Sequence, residues 1–100
     1  MPERSKDWLN QAERDLEQAR ASMRDGRHEW ACFAAQQAAE KAAEGLHLAK
    51  GQEAWGHVVA TRYVNGHPAG APFEHYGPLQ SQQAIDYAGE ILKFARSQVA

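Results

Sequence analysis

The stretch Glu29 to Lys50, EWACFAAQQAAEKAAEGLHLAK, constrains this chain more than any other. It contains no proline and is long enough for about six helical turns. Alanine stands at positions 31, 34, 35, 38, 39, 42, 43 and 49, so most sides of the helix are both helix-favouring and small. Neighbouring backbones can therefore come close to it. Trp30, Phe33, Leu46 and Leu48 supply bulk towards its two ends. The expectation is a central helix with the other helices laid against it.

Ahead of it, Leu9, Ala12, Leu16, Ala19 and Met23 recur three and four residues apart, with Trp8 alongside. This spacing predicts an amphipathic helix from Ser5 to Arg24. Its remaining positions, among them Glu13, Arg14, Asp15, Glu17, Arg20 and Arg24, carry charges of both signs and read as a solvated face. Gly26 can take the left-handed conformation that ends a helix. So short a connection predicts an antiparallel hairpin with the alanine-rich helix, which Gly51 would stop. After a long interval, Ala84, Ile85, Ala88, Ile91, Leu92, Ala95 and Val99 make another apolar stripe, and Pro78 suits a first helical turn. A last helix is expected from about Pro78 to Val99. These elements define an all-α, up-down antiparallel bundle, expected to be one domain over residues 1–100.

Between the helices, Gln52 to Gly77 holds Gly56, Gly66, Gly70, Gly77, Pro68 and Pro72, a density that breaks regular structure. Only His57 to Tyr63 could hold a short regular element. The segment also holds Trp55, His57, Tyr63, His67, Phe73, His75 and Tyr76, too much aromatic surface for a plain linker. A long loop packed on the bundle before the last helix is the expectation.

Composition excludes several function classes. A net charge of −2 argues against a broad basic nucleic-acid surface, although it leaves room for a local phosphate site. Cys32 is the single cysteine and reads as a small buried residue beside Phe33. No apolar run nears the ~20 residues of a membrane span, and MPERSKDW has no signal-peptide core, so a soluble cytoplasmic protein is expected. Glu40 and Glu44 lie one turn apart without a histidine or aspartate at metal spacing, and His28 and His47 read as helix-surface residues. No metal or cofactor is expected.

Several of these stretches resemble the HEPN domain family, small helical domains often found beside minimal nucleotidyltransferases in prokaryotes. They are Trp30 to Phe33 with Gln36 to Ala42, the first helix with Trp8, Leu9, Ala12 and Asp15-Leu16, Trp55-Gly56-His57, Thr61-Arg62-Tyr63, and Ala71 to Tyr76. Family members usually carry one or two further helices between the Trp-Gly-His and Thr-Arg-Tyr elements, where only Val58, Val59 and Ala60 stand here. The resemblance therefore implies either a reduced bundle or a segment absent between Ala60 and Thr61. It also implies a homodimer and a role as helical partner of a minimal nucleotidyltransferase in a toxin–antitoxin-type module.

A rival reading is enzymatic. Arg62 and His67, with four residues between them, match an arginine–histidine pattern that family members use as a metal-independent ribonuclease site. A histidine titrating near neutrality can take the proton of a ribose 2′-hydroxyl, and a guanidinium can hold the phosphate through two hydrogen bonds. Arg62 packing on Tyr63 or pairing with an acid is the structural alternative, with Gly66 and Pro68 placing His67 in a loop. A third reading is non-catalytic: Trp55, His57, Tyr63 and Tyr76 would stack on a nucleotide base, or else plug the end of the bundle.

Overall fold

The computed structural model describes residues 4–50 and 75–99. Three helices run through them: α1 (Ser5–Arg24), α2 (His28–Lys50) and α3 (Pro78–Gln98). No strand occurs among the described residues, and the expected all-α bundle is what the chain forms.

The α1–α2 turn is built around Gly26, whose φ is +77°. Its N–H reaches the Met23 carbonyl at 3.0 Å, and the Arg27 N–H reaches the Ser22 carbonyl at 2.9 Å. These two bonds satisfy carbonyls that the end of α1 would otherwise leave open, and the left-handed residue between them needs to be glycine. The chain reverses at once, and α2 lies back along α1.

Alpha-2 is the middle of the structure: α1 and α3 each pack chiefly on it and more lightly on each other. The core is an alanine seam, with Ala31, Ala35, Ala38, Ala42 and Ala43 of α2 all buried. Larger residues from the neighbours fill the space beside it: Leu9 and Leu16 from α1, and Ile85, Ile91 and Leu92 from α3. Small side chains on the central helix let both partners approach, and the volume comes from outside it. Cys32 is buried as expected, at 5% exposure.

The direction of α3 follows from its contacts at both ends. Near its start, Ser81 meets His28 at the start of α2; near its finish, Arg96 reaches the Leu9 carbonyl at 3.5 Å and Asn10 Oδ1 at 3.2 Å. Alpha-3 is thus antiparallel to α1 and parallel to α2. The up-down alternation holds for the α1–α2 hairpin and for α1 against α3. Because α2 and α3 point the same way, the end of α2 and the start of α3 stand at opposite ends of the bundle, about 35 Å apart for a helix of 23 residues. A separation of that size needs at least about ten extended residues to span, more than a tight turn of the α1–α2 kind supplies. This accounts for a long interval before α3. The expected packing of residues 51–74, and the question of a segment after Ala60, lie outside the described residues.

The start of α3 is tied down twice. Gln80 Oε1 accepts the Gly77 N–H at 2.9 Å, and Pro78 sits in the first turn, where its missing N–H leaves no gap. Ser81, fully buried, donates its hydroxyl proton to the Pro78 carbonyl at 3.1 Å. Its oxygen also lies 2.9 Å from His28 Nδ1. His28 is therefore a half-buried clasp between α2 and α3, where the sequence suggested a plain surface residue. His47 is half-buried as well.

Candidate functional site

The face of α2 turned away from the core carries the most unusual surface among the described residues. The buried stripe runs through Ala31, Ala35, Ala38, Ala42 and Leu46. Opposite it, Trp30, Phe33, Gln37, Lys41, Glu44 and Leu48 follow one another at three and four residues, the spacing that keeps side chains on one face. Trp30 is 60% exposed, Phe33 53% and Leu48 42%. A large apolar side chain stands at each end of this stripe, and the polar residues lie between.

Trp30 and Phe33 pack edge to face, with ring centroids 6.1 Å apart and planes at 88°. This T-shaped pair is favourable in itself, and it fixes two rings as a ridge on the surface. Beside the ridge a cleft of about 450 Å³ opens between α1 and α2, bordered by Asp15, Gln18, Trp30, Phe33, Gln37 and Lys41. Across it Lys41 Nζ meets Asp15 Oδ2 at 2.5 Å, joining the two helices. The cleft thus combines an aromatic wall, two side-chain amides and a neutralised ion pair. Such a lining fits contact with another surface; it offers no general base aimed at an open space.

Cys32 gives no chemistry to this face. Burial, reinforced by the nearby Glu29 carboxylate, pushes its thiol up from 9.0 to about 11. At neutral pH it stays protonated, and a thiol-specific reagent should label it only as fast as the helices open. Since the folded value lies above the unfolded one, its share of stability is complete below pH 9 and is lost as pH rises through about 11. Labelling at pH 7.5 is the check. A rate matching that of an exposed cysteine peptide contradicts the buried placement.

The expected site residues fall largely elsewhere. Arg62 and His67, the candidate ribonuclease pair, lie outside the described residues, as do Trp55, His57 and Tyr63. Tyr76 is described: it is half-buried and packs against the core cluster. Among the described residues no three His, Cys, Asp or Glu side chains gather as a metal site, and no helix is long and apolar enough to cross a membrane. The outer face of α2 is not evident from the sequence, where Trp30 and Phe33 read as bulk and Phe33 as a neighbour of buried Cys32. In the structure Cys32 points in and Phe33 out. Their positions on the helical repeat carry the signal, since Trp30, Phe33, Gln37 and Glu44 fall opposite the alanine seam.

Comparison with known proteins gives the class. Residues 5–65 match the HEPN domain model. In solved structures the fold is similar to that of TT1696 from Thermus thermophilus, with 38% identity, 96% of this chain and 98% of that one covered, and a TM-score of 0.78. It is also similar to ST0689, an archaeal HEPN homologue, at 32% identity over 100% of both chains, with a TM-score of 0.81. A HEPN domain protein from Thermotoga maritima shares the fold at 24% identity and a TM-score of 0.64, over 91% of this chain and 95% of that one. No curated protein matches. This chain belongs to the HEPN domain family.

Proposed function

We propose that this chain works by association, as the HEPN-domain partner of a minimal nucleotidyltransferase in a prokaryotic two-protein module of the toxin–antitoxin kind. The observation that carries the reading is the outer face of α2, where a tryptophan and a phenylalanine more than half exposed pack edge to face. Aromatic side chains locked together on a surface supply large contact area at little entropic cost, and are over-represented where proteins meet. The described titratable groups give no competing catalytic arrangement: Lys41 and Asp15 neutralise each other, and Cys32 is held protonated. The choice of a nucleotidyltransferase as partner comes from the family resemblance.

Co-expression with a minimal nucleotidyltransferase encoded beside this chain tests the reading. A complex that survives size exclusion is expected. Single-stranded RNA incubated with the purified protein in EDTA is expected to stay intact. Cleavage that disappears in both Arg62→Ala and His67→Ala would replace this reading with a metal-independent endoribonuclease.

A further inference from the structure

We infer that the cleft between α1 and α2, with the outer face of α2 beside it, receives a cationic segment of the partner protein, anchored by an arginine. The inference rests on the reading of this face as the surface that meets a nucleotidyltransferase, and goes further by stating what the partner must present to it.

Charge selects the class of occupant. Glu29, Phe33, Gln37, Glu40 and Glu44 follow at intervals of three and four along α2, so three carboxylates share the face of the exposed rings. Glu40 is exposed, and Glu29 and Glu44 are half-buried. Between Glu29 and Leu48 the sequence has a single lysine and no arginine. That lysine, Lys41, is joined to Asp15 across the cleft, so its charge is offset there. The face is therefore negative as a whole. It repels a phosphate backbone or an acidic peptide and attracts a segment that carries lysine or arginine.

The cleft selects the anchor. Its wall is Trp30 and Phe33, whose edge-to-face contact uses one ring face and leaves others open. A guanidinium is planar and weakly hydrated, so it stacks on such faces; an ammonium holds its water more strongly and does so less well. The five N–H groups of the guanidinium need acceptors. Gln18 donates its amide to Ser22 Oγ at 3.1 Å, which leaves its carbonyl oxygen as an acceptor at the cleft, and Gln37 supplies a second amide oxygen. The volume of about 450 Å³ leaves ample room for an arginine side chain. Arginine is also among the residues that most often carry the binding energy of an interface.

Affinity for the nucleotidyltransferase encoded beside this chain, measured by calorimetry, should fall at least about tenfold in the Glu40→Lys, Glu44→Lys double variant. Circular dichroism should show its helical content unchanged. For the unaltered pair, affinity should fall by a similar factor as NaCl rises from about 50 to about 500 mM. A small probe tests the anchor without the partner. N-acetyl-argininamide should shift the Trp30 indole N–H resonance, assigned through Trp30→Phe, more than N-acetyl-lysinamide does. A complex indifferent to salt or to the charge reversal, or equal shifts from the two amides, overturns the inference. So does a change in the mass of the free protein, read by light scattering on the double variant, because the face would then belong to a second copy. Failure here is distinct from failure of the functional reading. A complex that ignores charge keeps the nucleotidyltransferase and removes the cationic segment; an arginine-selective Trp30 shift without any complex does the reverse.

Discussion

Leu46→Ala is expected to remove about 3 kcal/mol of stability, within the 2–5 kcal/mol range of leucine truncations in well-packed cores. Among the residues that α2 buries, only Leu46 is larger than cysteine, and it is fully enclosed. The other buried residues in this part of α2 are Ala42, Ala43 and Gly45, which have no long side chains to swing into the gap. Little relaxation is available, so the loss should exceed the transfer term alone. For a domain of this size the melting temperature should fall by at least ~12 °C, read by circular dichroism on heating. A loss below 1 kcal/mol would mean that the last turns of α2 do not pack on α1. Phe33→Ala makes the contrast: it deletes a larger side chain, yet at an exposed site the stability should change by only about 0.5 kcal/mol. The order is the reverse of what hydrophobicity alone would give.

That reversal shows where the sequence stops being legible. The helices can be read because their signals are local. Leucine and alanine periodicity marks α1, Gly26 marks its end, and Pro78 marks the start of α3. Membership of the family is also readable, because it depends on the order of many short pieces. The buried side of α2 is harder to see, since alanine on most of its faces fits a core or a surface equally well. Closeness of packing decides between them: a seam narrow enough for alanines has no room for Trp30 or Phe33, which are turned outward. The direction of α3 is not readable either, because its apolar stripe serves a helix running either way. Two long-range contacts, Ser81 to His28 and Arg96 to Asn10, fix it, and neither residue pair is marked in the sequence. As for the site, Tyr76 is engaged with the core, and the motif of Arg62 and His67 rests on its sequence spacing.

Gly45→Val should be among the most damaging single changes, at about 3–4 kcal/mol, and the reason is a close approach of α1 to α2 at this position. Glycine inside a helix gives up about 1 kcal/mol relative to alanine, in a helix otherwise filled with alanine, so something at this position must exclude a side chain. A Cβ on Gly45 would stand 2.9 Å from the Ser5 carbonyl oxygen, 3.0 Å from Leu9 Cδ2 and 3.2 Å from Leu9 Cγ. The leucine can shift by rotation. The carbonyl belongs to the backbone of a buried residue in the first turn of α1, and it can shift only if that turn moves. Gly45→Ala therefore sets about 1 kcal/mol of gained helix propensity against 1–3 kcal/mol of overpacking, for a net loss of about 1 kcal/mol. Valine adds two methyl groups to the same gap and forfeits most of the propensity gain, which raises the loss to the larger figure. Urea denaturation of both variants measures the difference, and a Gly45→Ala protein more stable than wild type would show that the two helix ends are free to separate. A double-mutant cycle divides the clash between its two sources. Leu9→Ala combined with Gly45→Ala should lose less than the sum of the single changes, because truncating the leucine removes two of the three contacts. The part of the loss that persists belongs to the Ser5 carbonyl, and it measures how firmly the first turn of α1 is held against α2.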